Sequence, residues 1–140
     1  MEITPAADEF LRSHLWGLLA TTRNSGAPQV SMVAYDWDGT DLVMSCRSSA
    51  AKFVNAERRA AVSFSVADDV DFCSIDGTAV CHRTGPERDR DTERVRQRLL
   101  DGAEWGAAML DRDIAAGLDE VQRVTITVVP SKVHFVQPLG

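Results

Sequence analysis

No stretch of this sequence approaches the roughly 20 consecutive apolar residues that a membrane-spanning helix needs, which argues against a membrane span. Cysteine is scarce. Cys46, Cys73 and Cys81 are odd in number and lack CxxC spacing, which argues against a disulfide framework or zinc site and for a reducing cytoplasm. His14, His82 and His134 are scattered and form no metal triad by spacing. There is no GxGxxG stretch, so a dinucleotide-binding fold is not indicated, and Ser48-Ser49 lacks the G-x-S-x-G setting of a hydrolase nucleophile. Asp36, Asp38 and Asp41 sit in too short a loop for a calcium site and read as turn residues. Positive charge is also short. The net charge of −6 argues against general nucleic-acid binding, which needs a basic face, but leaves room for a local cationic pocket. Lysine is rarest among the cations: of 15 basic residues only Lys52 and Lys132 are lysines.

What is present is ordinary for a soluble globular chain. Hydrophobic content of 44% over 140 residues is enough for one domain, residues 1–140, with its own core. The opening segment MEITPAADEFLRSH is acidic and polar, unlike a signal peptide. Pro5 at a plausible first helical position, with Phe10 and Leu11 on one side, predicts a short helix over 5–14. Trp16–Thr22 and Gln29–Tyr35 predict two strands joined by an Asn-Ser-Gly turn. Asp38-Gly39 marks a second turn, leading into a third strand at Leu42–Cys46.

A helix over Ser49–Ala56 and a strand at Ala61–Val66 follow, with Glu57, Arg58 and Arg59 as a charged loop between them. After an acidic turn at 67–71 comes a fifth strand, Phe72–Cys81, with a bulge or bend at Asp76-Gly77. Pro86–Leu100 predicts a largely exposed helix laced with charge pairs, and Trp105–Leu118 reads as irregular or short helical structure. Arg123–Val129 alternates as a strand, Pro130-Ser131 bends it, and Lys132–Val136 is a last strand. Strands that outnumber helices without alternating with them predict a mainly β, α+β antiparallel barrel of six to seven strands with two to three peripheral helices.

The chemistry-bearing stretch is residues 42–66, LVMSCRSSAAKFVNAERRAAVSFSV. Arg47, Ser48 and Ser49 occupy the turn before the helix, and Lys52 lies in its first turn. Two cations, two hydroxyls and a helix N-terminus make a natural seat for a phosphate. The plainer reading is that a serine caps the helix and the cations are solvated surface groups.

The phrases GLLATTRNSGAPQVSMVAY (17–35), the segment 42–66 and RVTITVVPSKVHF (123–135), in this order, resemble a known family. They are similar to the flavin and deazaflavin split-barrel proteins related to pyridoxamine 5′-phosphate oxidase, and most to the small branch that binds the deazaflavin coenzyme F(420). The resemblance implies a split β-barrel and an oxidoreductase passing a hydride to an unsaturated small molecule, with F(420), or alternatively FMN, as cofactor. A non-catalytic flavin, deazaflavin or haem-like carrier is the other reading. It implies that Lys52 contacts the cofactor phosphate together with Ser45, Cys46, Arg47, Ser48 and Ser49. Gln29, Ser31 and Met32 would line the ring. It also implies a cytoplasmic homodimer with two interface sites, where Phe72 could reach the partner's site. Two departures stand out. Ala50 occupies a position where deazaflavin binders often carry a further Arg or Lys, a charge Arg47 could supply from the turn. The chain also ends VHFVQPLG, without the Trp and Arg-rich segment that grips substrate phosphate in pyridoxamine phosphate oxidases. Tyr35, the sole tyrosine, is a possible proton donor near the ring or a packing residue.

Overall fold

The computed structural model describes residues 2–139. In chain order the elements are α1 (Pro5–Arg12), β1 (Trp16–Thr22), β2 (Pro28–Ala34), β3 (Asp36–Trp37), β4 (Leu42–Arg47), α2 (Ala51–Arg58), β5 (Ala61–Asp68), β6 (Asp71–His82), α3 (Pro86–Leu100), α4 (Glu104–Ala116) and β7 (Arg123–Val136). All seven strands belong to one antiparallel sheet of order β2-β1-β5-β6-β7-β4-β3. The sheet curls, so that β2 at one end approaches β4 near the other. This is the expected barrel, with a seam between β2 and β4 and with four helices among the described residues where two to three are expected.

Alternation along each strand sorts residues onto two faces. Leu19, Val33, Leu42, Met44, Phe64, Ile75, Ile126 and Val128 point inward and form the main core with Tyr35 and Phe53. Gly17 lies on the inner face of β1 because a Cβ there would come within 2.2 Å of the Phe64 ring. On the outer face, α3 and α4 cover β4 and β7 through a second cluster of Val43, Val95, Leu99, Ala103, Ala107 and Leu110. The turn at Asp38-Gly39 forms as expected. Asp38 accepts from the Thr40 and Asp41 amides at 2.8 and 3.0 Å, and Gly39 takes a φ of +95°, which suits glycine.

Several expectations shift. Residues 36–37 form a short strand before the turn, paired with Leu42 and Val43. Glu57 and Arg58 complete α2 and are not loop. The last two predicted strands are one, Arg123–Val136, because the β6–β7 ladder absorbs Pro130 at a bulge. The register steps between Asp76↔Lys132 and Gly77↔Pro130, so proline's missing N–H falls where the ladder is already interrupted. The bulge expected at Asp76-Gly77 is therefore present. The predicted irregular segment at 105–118 is a helix of 13 residues, α4. Its spacing of buried residues (Gly106, Ala107, Leu110, Asp113) is helical, and packing on α3 stabilises what local propensity leaves ambiguous. α3 is less exposed than expected, since Arg88, Asp91 and Thr92 are buried against the sheet. Arg88 donates to the Arg83 and Arg123 carbonyls at 2.9 and 2.8 Å, while Asp91 accepts from Thr127 at 3.0 Å. These bonds satisfy polar groups that burial would otherwise penalise.

Candidate functional site

The strand β4 puts Leu42, Met44 and Cys46 into the core and Ser45 and Arg47 on the other face. Its partner β7 sets Thr125 opposite Ser45 and Arg123 opposite Arg47. Two arginines directly across a ladder repel each other. The conflict is resolved from outside the sheet, by Asp113 of α4. Its Oδ1 accepts from Arg47 Nη2 at 2.9 Å, and its Oδ2 accepts from Arg123 Nε at 2.9 Å and Nη2 at 2.8 Å. Arg123 also reaches the Ser45 hydroxyl at 3.4 Å. Arg123 and Asp113 are buried, whereas the Arg47 side chain is half exposed.

The turn after β4 is tied down on one side. Ser48 donates its amide to the Gln122 carbonyl at 2.9 Å and its hydroxyl to Gln122 Oε1 at 2.7 Å. The expected serine cap is absent: α2 starts at Ala51, its N-cap is Ala50, and no side chain caps it. The Phe53 amide turns back to the Ala50 carbonyl at 3.0 Å, which leaves the Ala51 and Lys52 amides to water or an anion, at the positive end of the helix dipole. Lys52 stands in that first turn and makes no ion pair among the described residues. Ser49 is exposed beside it.

A cleft of about 190 Å³ opens at the seam of the barrel. Met32, Val33 and Ala34 from β2, Ser45 from β4, Lys52 from α2 and Arg123 from β7 form its strand side and polar end. Trp105, Met109 and Leu110 of α4 close it opposite, with Trp16 from β1. The Trp16 and Trp105 rings lie nearly parallel, with centroids 5.9 Å apart and an interplanar angle of 12°. The lining thus combines two cations and a hydroxyl (Lys52, Arg123 and Ser45) with apolar side chains and a stacked pair of tryptophans. That suits a planar ligand with an anionic tail.

Three of the sequence-nominated residues, Met32, Ser45 and Lys52, meet in this cleft. Gln29 and Ser31 lie further along β2 on the opposite face from Met32. Gln29 Nε2 donates to the Ser31 hydroxyl at 2.8 Å, so the pair presents a joined polar edge. Cys46 turns its thiol into the core, where burial pushes its pKa up against the pull of Lys52 and Arg123. Only its backbone faces the turn. Phe72, at the start of β6 opposite Val136, is partly exposed and lies outside the cleft. Tyr35 is a core residue whose hydroxyl donates to the Leu11 carbonyl at 2.6 Å, and burial holds its pKa well above the ordinary value. It packs rather than delivering protons to the cleft. None of the histidines lines the cleft, and no group of His, Cys, Asp or Glu among the described residues could hold a metal ion.

Asp113, Arg123, Trp16, Trp105 and Met109 were not singled out by sequence reasoning. Asp113 and Arg123 carry no local signature, because their meaning depends on the Arg47↔Arg123 register. Trp105 and Met109, four residues apart, share a helix face only once residues 104–116 are known to be helical.

The family model described as pyridoxamine 5′-phosphate oxidase matches residues 3–137. No curated protein matches the sequence. Among solved structures, the chain is similar to a conserved hypothetical protein from Mycobacterium tuberculosis, with a TM-score of 0.75 and 22% identity over 96% of this chain and 85% of that one. It is also similar to an F(420) reductase, with a TM-score of 0.70 and 25% identity over 94% of this chain and 98% of that one. HutZ, a haem storage protein from Vibrio cholerae, shares the fold at a TM-score of 0.69 and 16% identity, over 96% and 94% of the two chains.

Proposed function

Since the chain belongs to the pyridoxamine 5′-phosphate oxidase family, we propose that it is an oxidoreductase that uses the deazaflavin coenzyme F(420), with FMN as the alternative, to reduce an unsaturated small molecule. The observation that carries this reading is the uncapped start of α2 with Lys52, which makes no ion pair among the described residues and lines a cleft that also holds the stacked Trp16 and Trp105. The residues present fit the group: a phosphate needs free amides and a cation, and a planar ring needs flat apolar walls. When bound, such a cofactor supplies the hydride chemistry, and the protein holds, orients and shields it.

In this reading Lys52, Ser49 and the amides of Ala51 and Lys52 at the start of α2 hold the phosphate, with Ser45, Ser48 and Arg47 at the rim. Met32 packs on the ring's face, whereas the expected ring contacts of Gln29 and Ser31 would have to come from the other face of β2, outside this cleft. The remoteness of the three histidines from the cleft disfavours haem ligation by imidazole there.

The proposal includes a cytoplasmic homodimer. The outer face of β1 and β2 exposes Leu18, Val30 and Met32 side by side, and Met32 and Val30 are 69% and 57% exposed. An apolar sheet face at an edge strand is stable in water when another surface covers it. Such packing would place a partner against the seam, with Phe72 available to the partner's site.

Titration of the purified protein with F(420) and with FMN, followed by absorbance and fluorescence, tests the reading. Micromolar or tighter binding of F(420) with weaker FMN is expected, followed by oxidation of the reduced coenzyme by an activated enone. Tighter FMN binding would overturn the choice of cofactor. Binding without turnover would leave a carrier.

A further inference from the structure

Two walls of the cleft touch each other. Trp105 stands in the first turn of α4 and Trp16 at the start of β1, yet both line the cleft and their rings stack, so the pair bridges the helix side and the strand side. Closed in this way, the cleft measures about 190 Å³. Clefts that bury most of a drug-sized ligand start at roughly 300 Å³, so a tricyclic ring enters only when part of the lining gives way. The strand wall is held by the β1–β2 and β4–β7 ladders. The backbone of α4 is held as well: Ala107 and Leu110 pack with Val43, Val95 and Leu99, and a Cβ on Gly106 would come within 3.1 Å of the Leu99 side chain. The Trp105 side chain is different. It is 61% exposed, and among the described residues its ring stacks on Trp16 alone.

We propose that Trp105 is the gate of this cleft and a contact for the ring it admits. Turned away from Trp16, its indole widens the cleft. Turned back, it lies on the apolar face of a planar ring, beside Met32 and Met109, whose flexible thioether chains adjust to the ring's outline. The inference rests on the planar-ring reading of the cleft given above and adds how the ring gets in. Exposed side chains change rotamer within nanoseconds, far faster than a ligand arrives. The closed stack is therefore a pre-equilibrium, and it lowers the association rate by leaving only the open share of molecules competent to bind. The weight of one aromatic pair makes this a handicap of roughly two- to tenfold.

Stopped-flow fluorescence with F(420), and separately with FMN, tests the gate on the full chain and on Trp105→Ala and Trp16→Ala, which break the stack from its two sides. Thermal melts and sedimentation velocity check that both variants fold and assemble like the unaltered protein. Each variant is expected to raise the association rate constant by roughly two- to tenfold. Trp105→Ala should raise the dissociation rate constant as well, because the bound ring loses the indole. An association rate constant that is unchanged or lower in both variants would overturn the gate, even with faster dissociation, since a fixed wall acts on dissociation alone. In that result the coenzyme still binds, so the cofactor reading stands and only the role of Trp105 falls. If the unaltered protein binds neither F(420) nor FMN, the cofactor reading itself is wrong and the gate falls with it.

Discussion

The side-chain amide of Asn55 on α2 donates to the Thr21 hydroxyl on β1 across 3.2 Å, and that hydroxyl donates onward to Gln29 Oε1 on β2, also at 3.2 Å. Both Asn55 and Thr21 are buried. Arg58 extends the chain by donating to Asn55 Oδ1 at 3.0 Å, and Gln29 ends it by donating to Ser31. The helix that carries Lys52 is therefore joined to the strand that carries Gln29 and Ser31. Thr21→Val removes the central hydroxyl and leaves a buried amide without its acceptor, a loss of about 1–3 kcal/mol. A lower urea midpoint is expected for Thr21→Val, with most of the loss restored in Thr21→Ser. Equal losses in the two variants would mean that methyl packing, and not the hydrogen bond, holds the hairpin to α2.

Lys52→Ala removes one charge-assisted contact to the cofactor phosphate, about 1.5–3 kcal/mol. Affinity should fall by about 10- to 150-fold, while the thermal melt of the unliganded protein stays in place because Lys52 makes no ion pair among the described residues. Unchanged affinity would move the phosphate seat elsewhere.

Leu18 and Met32 face each other across β1 and β2 on the exposed side of the sheet. Leu18→Glu with Met32→Glu adds two charges to that face and should convert a dimer to a monomer in sedimentation velocity, with the far-ultraviolet spectrum unchanged. A dimer that persists would place the interface on another surface.

Cys73 is fully buried, and burial pushes its thiol pKa from an ordinary 9.0 up to about 11. Cys81 is pushed to about 11 as well, by burial first and then by nearby Glu57. In the folded chain these thiols keep their protons to higher pH than in the unfolded chain. Their stabilising contribution is complete below about pH 9, the unfolded value, and is lost progressively as pH rises towards about 11. Denaturation midpoints should hold between pH 7 and 8 and fall from pH 9 to 10. Replacing both cysteines by alanine should flatten that decline, and an unchanged decline would assign it to other groups.

Much of the architecture is legible in the residues themselves. The alternation in Trp16–Thr22, the Asp38-Gly39 turn and the bulge at Asp76-Gly77 rest on neighbours one to three residues apart, so local chemistry specifies them. The ends of α2 lie two residues later than local chemistry predicts, because Ser49 has the right chemistry for a cap while the pairing with Gln122 draws Ser48 the other way. Pro130 reads locally as a break between strands because proline ends a strand unless a partner bulge accommodates it, and that partner is about 50 residues away.

The sequence by itself determined the antiparallel barrel and the placing of a lone lysine at the start of a short helix, since both follow from periodicity and local chemistry. The tertiary structure alone decided which cations are spoken for. Arg47 and Arg123 became neighbours through the pairing of β4 with β7, and Asp113 met them both only when α4 packed across that ladder. Charges interact through space, so their pairing depends on distances that no local pattern encodes.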